Sequence, residues 1–197
     1  MHRILQIAAT AVATAWLTAC STPVPSTSWQ TLIDGESGLE NFTQLGAANW
    51  TATDGAISAD HKSSAEAGIL LSKNSYRDFE LHVEFSAADP GTNSGIYLRV
   101  MNQKTVNTKA AYEVQIWDAS PNMPTASVIP VVKAPSTFKA GGKWNSFDIT
   151  AKGPLLSVKM NGEQVVTASD GAFTSGPIGL QYNAGTIKFR KVMIRPI

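Results

Sequence analysis

Cysteine is nearly absent from this chain: Cys20 is the only one in 197 residues. No disulfide can form within the chain, and a single thiol in an exported protein would need its own explanation. Charge bias is missing too. Sixteen Lys and Arg stand against 15 Asp and Glu, for a formal net charge of +1, and the basic residues are scattered. That excludes nucleic acid as a partner, because such binding wants a concentrated basic face. No nucleophile elbow, phosphate loop or paired-histidine zinc motif is present, so serine-hydrolase and nucleotide chemistry lack support. Helical periodicity of useful length is also missing after the first residues. The one long apolar run, Ile4 to Leu17, is short of the ~20 residues that a transmembrane helix needs.

That run does have a recognisable setting. It follows a short basic start at His2 and Arg3 and leads to Leu17-Thr-Ala-Cys20, which resembles the bacterial lipobox. Residues 1–20 are therefore expected to be a lipoprotein signal peptide ending in the lipidated Cys20, which accounts for the lone thiol. Acyl chains, at ~0.8 kcal/mol per buried methylene, would hold the protein on a membrane. Ser21 stands where an Asp would resemble the inner-membrane retention signal, so the expected location is the bacterial cell envelope at the outer membrane. Residues 21–28, rich in Pro, Ser and Thr, read as a tether.

From Trp29 to Ile197 the text is strand after strand. Asp34-Gly35, Asp54-Gly55 and Asn161-Gly162 are tight-turn signals. Phe79, Leu81, Val83 and Phe85 alternate with Glu80, His82 and Glu84. Ile96, Leu98 and Val100 alternate with Tyr97 and Arg99. The segment from Asn145 to Val166 reads as a hairpin about Asn161-Gly162, and the last two strands read as a closing pair. Many short strands with Gly/Pro turns indicate one all-β domain over residues 29–197, an antiparallel sandwich.

The alternation puts Glu80, His82, Glu84, Tyr97, Arg99, Glu113, Gln115, Trp117, Gln181 and Asn183 on non-core faces. Carboxylates, amides and aromatic planes together suit a sugar, whose hydroxyls need hydrogen bonds and whose ring faces need stacking. Trp29, Trp50 and Trp144 read instead as core or edge packing, His82 as a strand-face histidine and His61 as a loop residue.

Leu32–Gly35 (LIDG), Asp78–Leu81 (DFEL), Asn93–Arg99 (NSGIYLR), Tyr112–Asp118 (YEVQIWD), Gly142–Asn145 (GKWN), Gly176–Gln181 (GPIGLQ) and Phe189–Val192 (FRKV) come in an order that resembles the 3-keto-disaccharide hydrolase domain. The resemblance implies a concanavalin-like jelly roll acting on glycosides oxidised to a ketone at carbon 3. That ketone acidifies the carbon-2 proton; a base removes it, the anomeric substituent leaves, and water adds to the enone. Read onto this chain, the resemblance implies Glu113 as base or metal ligand and Arg99 as polariser or clamp. Gln115, Gln181, Tyr97, Asn183 and Trp117 would contact the sugar. The polarising group could be a cation, a divalent metal or a hydrogen-bond donor, so no cofactor is fixed. One departure stands out: Asn183 takes the place of a family His, and an amide can bind a hydroxyl but cannot shuttle a proton. The spacing Glu113 to Asp118 also matches the acids of laminarinase-like glycoside hydrolases. The alternatives are a carbohydrate-binding module without chemistry and a structural envelope lipoprotein.

Cys20→Ser should release the mature chain from the membrane fraction. Partition after detergent-free fractionation measures it, and a variant as firmly membrane-bound as wild type would refute lipidation at Cys20.

Overall fold

The computed structural model describes residues 28–60 and 67–197. The expected signal peptide, Cys20 and the expected tether up to residue 27 lie outside the described residues, as does His61. Fourteen strands and one short 3-10 turn at Leu39–Asn41 make up the described elements.

Two antiparallel sheets face each other. The eight-stranded sheet contains β12 (Glu163–Ser169), β11 (Leu155–Met160), β10 (Lys143–Lys152), β6 (Phe79–Ala87), β14 (Ile187–Pro196), β4 (Ala56–Asp60) and β3 (Asn49–Thr53) in that order. β1 (Gln30–Asp34) pairs with the second half of β14. The six-stranded sheet runs β2 (Phe42–Gly46), β5 (Gly68–Ser72), β13 (Gly179–Ala184), β7 (Asn93–Leu98), β8 (Tyr112–Ile116) and β9 (Val128–Ile129). Between them lies one core to which both sheets contribute, including Phe79, Leu81, Val83, Phe85, Phe147 and Phe189 from one and Ile96, Leu98, Tyr112, Val114, Ile116 and Leu180 from the other. Each large apolar side chain so buried contributes about 1.5–3 kcal/mol. Strand β6 shows how the pattern works: its residues alternate buried and half-buried without a break.

The turns follow their chemistry. Asp54-Gly55 and Asn161-Gly162 have positive φ at both residues (54° and 71°; 53° and 83°), the backbone that a two-residue hairpin needs. Asn161-Gly162 joins β11 to β12. The expected single hairpin is in fact a three-stranded meander, because Gly153-Pro154 makes a second turn between β10 and β11. The expected closing pair also separates: β13 pairs with β5 and β7, while β14 belongs to the other sheet. Gly185, at φ 81°, carries the chain across.

Arg99 departs most from the alternation. It directly follows β7 with φ 54°, and this one left-handed residue shifts the inside–outside phase. Val100, not Arg99, joins Tyr97 in a small apolar cluster on the outer face of the six-stranded sheet, with Leu71 and Ala111. The Arg99 side chain is 1% exposed and turns toward the other sheet's end. Its Nε donates to the Arg77 carbonyl (2.7 Å), Nη1 to the Gly153 and Phe173 carbonyls (2.8 and 3.2 Å), and Nη2 to Asp78 Oδ1 (3.0 Å). Burial pulls the guanidinium's pKa down and Asp78 pulls it back. The expected placement of Arg99 beside Glu113 on one open face is therefore corrected: its donors are spent on holding chain segments together.

Arg99→Met should cost about 3–5 kcal/mol, since it leaves three carbonyls and a carboxylate without their cation. Denaturant unfolding checks this; a loss below about 1 kcal/mol would contradict the role.

Candidate active site

The outer face of the six-stranded sheet is built in rows. In one row Gly179, Tyr97 and Glu113 are direct neighbours across β13, β7 and β8; in the next, Gln181, Gly95 and Gln115 are. Each row therefore has a glycine where a side chain would otherwise stand, and each glycine has a tenant. A Cβ on Gly95 would lie 2.4 Å from Glu113 Oε1 and 2.9 Å from its Cγ, so the Glu113 side chain lies flat over Gly95. A Cβ on Gly179 would lie 3.2 Å from Tyr97 Cβ and 3.6 Å from Tyr97 Cδ2, so the tyrosine packs over Gly179. Both glycines escaped the sequence reading. Their signal was present: a glycine inside a strand pattern marks a close approach.

Glu113 is only 5% exposed although it faces away from the core. Burial pushes its carboxyl up to about 7, opposed by a hydrogen bond with the Tyr97 hydroxyl. Burial, with Glu113 alongside, pushes the tyrosine up as well. Gln181 Nε2 donates to the Tyr97 hydroxyl oxygen at 3.2 Å. The Oε1 atoms of Gln115 and Gln181 are buried and have no hydrogen-bond partner among the described residues. Buried acceptors are rarely left empty, so these two amide oxygens stand out on this face.

Four of the seven expected site residues thus meet here: Glu113, Tyr97, Gln115 and Gln181. Two more sit at one end of the same face. Trp117 follows β8 directly and is half-buried; Asn183, near the end of β13, is exposed and falls at a bulge beside the Ala184–Asn93 pair. Arg99 is absent from the group. Glu80, His82 and Glu84 are not on this face either. They line the outside of the eight-stranded sheet, where Glu80 pairs with Arg195 and Glu84 with Arg190. His82 Nδ1 meets Asp148 Oδ1 at 2.7 Å. Trp144 and Trp29, about 40% exposed at 37% and 41%, lie beneath Arg190 and Arg195, and Trp50 packs on Phe189. Asp118 is withdrawn from chemistry. Its carboxylate accepts from Thr125 Oγ1 and from the backbone N–H of Ala140 and Gly141, which removes the laminarinase-like pairing with Glu113.

Among the described residues no three His, Cys, Asp or Glu side chains gather as a metal-binding group. Glu113 is the one carboxylate in the cluster just described, with the amide oxygens of Gln115 and Gln181 beside it, and no step is routed through a metal ion. A cavity of about 420 Å³ lined by Thr137, Lys139, Lys143 and Glu163 lies elsewhere, and its one carboxylate is exposed. Volume does not select the site; the buried Glu113 carboxyl among amides does.

A two-sheet jelly roll of concanavalin or galectin kind, with a buried carboxylate among amides on an outer face, defines a carbohydrate-directed class of domain. The profile of the 3-keto-alpha-glucoside-1,2-lyase-like domain matches residues 28–195, and the chain belongs to that family. No curated protein matches it by sequence. Among solved structures, it is similar to a proposed glycosyl hydrolase of Parabacteroides distasonis ATCC 8503, at 24% identity and a TM-score of 0.66, over 86% of this chain and 100% of that one. It is also similar to the carbohydrate-binding module CBM66 of Bacillus subtilis, at 16% identity and a TM-score of 0.57, over 86% and 96%. A Bacillus subtilis protein of unknown function with a galectin-like fold matches at 9% identity and a TM-score of 0.60, over 83% and 93%. At these identities the neighbours speak for the fold.

A carboxyl held near 7 makes stability depend on pH. Its folded pKa lies above its ordinary 4.5, so its favourable contribution is complete below that value and is lost as pH rises through about 7. Glu113→Gln should therefore be more stable than wild type at pH 8, by on the order of 2–3 kcal/mol, and should match it near pH 4.5. Denaturant unfolding across pH 4.5–8 measures the difference; equal pH slopes would show that Glu113 does not titrate in this range.

Proposed function

We propose that this domain cleaves 3-keto-glycosides by elimination and hydration, with Glu113 as the base. The observation that carries this reading is the Glu113 carboxyl itself: buried, held over Gly95, and poised near 7. A base so tuned is ionised enough to work at neutral pH and basic enough to take a carbon-bound proton. Glu113 removes the proton from carbon 2, the electron pair forms the enolate of the carbon-3 ketone, and collapse expels the anomeric oxygen with its aglycone, which takes a proton from solvent water. Water then adds at carbon 1, and the proton returns to carbon 2. With Arg99 occupied elsewhere, the amides of Gln115 and Asn183 are the donors on this face for the enolate oxygen. Gln181 and Gln115 supply acceptors for ring hydroxyls, and Trp117 supplies a stacking plane. The setting is the bacterial cell envelope, at the outer membrane, with the lipid on Cys20 as anchor.

A second reading has its own support. Asn183 cannot move a proton, and the fold is shared with a carbohydrate-binding module, so the face could hold a sugar without cleaving it. Incubation with a 3-keto-glucoside, with and without chelator, separates the two by aglycone release. For the enzyme, Glu113→Gln should cut turnover by at least ~100-fold with ligand binding retained. Absence of wild-type turnover, together with sugar binding that Trp117→Ala abolishes, would decide for the binding module.

A further inference from the structure

Tyr97 has the residue type of a sugar contact but not the exposure of one. It is 4% exposed, and its ring packs with Leu71, Val100 and Ala111 in the apolar cluster of the outer face. Gly179 beneath it leaves no room for a larger residue. A ring so enclosed has no face free for a pyranose. Its hydroxyl, by contrast, stands between two site groups. Gln181 Nε2 donates to the phenol oxygen, which leaves the phenol's own proton to be given away, and its partner is Glu113. The hydrogen bonds run from Gln181 to Tyr97 to Glu113.

We infer that Tyr97 is a positioning residue for Glu113: with Gln181 behind it, it fixes the carboxylate in place over Gly95 and keeps its basicity within working range, without touching the substrate. This rests on the reading of Glu113 as the base, but the pairing itself does not. The groups facing Glu113 are few. Gln115 shares its strand, Ile129 on β9 is its register partner on the other side, and Tyr97 on β7 is its titratable neighbour. A carboxylate taken out of water with no cation beside it is stabilised by the hydrogen bonds that it accepts; removing one favours the protonated acid.

The test is Tyr97→Phe, which keeps the ring and its packing and removes the hydroxyl. Two readouts are needed. The first is the pH dependence of unfolding, which follows the Glu113 proton whether or not the domain turns over substrate. The midpoint of its pH-dependent loss should move upward by at least about half a pH unit from wild type's, and Glu113→Gln should erase the transition in either background. The second is kinetic, on a 3-keto-glucoside. There kcat should fall at least fivefold at pH 7 with KM within twofold, and the acidic limb of the kcat profile should move up by about twice the shift of the unfolding midpoint, which lies midway between the unfolded and folded pKa values. An unchanged unfolding midpoint would overturn the inference, as would a raised KM with kcat intact, which marks a substrate contact. If wild type does not turn the glucoside over, the proposed activity fails, and the unfolding midpoint still decides the role of Tyr97.

Discussion

The buried guanidinium of Arg99 is the constraint on which the arrangement of the sheets depends. It ends β7 of the six-stranded sheet and binds the carbonyls of Arg77, Gly153 and Phe173, with Asp78 as its counter-ion. Arg77 and Asp78 lead into β6, Gly153 turns β10 into β11, and Phe173 lies between β12 and β13. Asp78 Oδ1 also accepts from the Gly153 N–H at 2.8 Å. One planar cation thus joins segments that hydrophobic packing alone would leave free to slide. An arginine suits the task, because its fixed fork of donors can serve several carbonyls at once where an ammonium cannot.

With the sandwich fixed at that end, the outer face of the six-stranded sheet is free to be specialised. Two glycines on adjacent strands remove the side chains that would normally crowd it. Neighbouring side chains then lie down into the gaps, and lying down is what buries Glu113 on a face that would ordinarily be wet. Burial of a lone carboxyl opposes folding at neutral pH, and the fold tolerates it because the core between the sheets is large. Groups that lower stability while matching a chemical need are the usual mark of an active site.

The strands themselves were legible in the chain. Alternation located β6, β7 and β8 and their core faces, and the Asp-Gly and Asn-Gly pairs placed two hairpin turns. What alternation cannot say is which sheet a strand joins. Glu80, His82 and Glu84 look in the sequence like Glu113 and Gln115, yet they face opposite sides of the molecule, because sheet membership is set by pairing between distant segments. Nor can alternation survive a single residue at positive φ. Arg99 carries no local warning such as glycine or asparagine, so its reversal of phase, and with it the loss of an expected catalytic cation, could be seen only in the fold. The Glu113, Gln115 and Gln181 grouping was legible because all three lie on uninterrupted stretches of strand.

A sugar-binding face and a sugar-cleaving face call for nearly the same residues, and the shared scaffold reflects that. Amides, an aromatic plane and a few buried acceptors are sufficient to hold a pyranose. What binding does not require is a carboxyl kept near 7 in a dry setting. A hydroxyl clamp works better with an ordinary ionised carboxylate, which accepts stronger hydrogen bonds and, left in water, does not oppose folding. The glycine under Glu113, the tyrosine beside it and the glutamine behind that tyrosine are three separate positions that all bear on one carboxyl. Their joint effect is on its orientation and its proton affinity, the two properties on which the proposed proton abstraction depends.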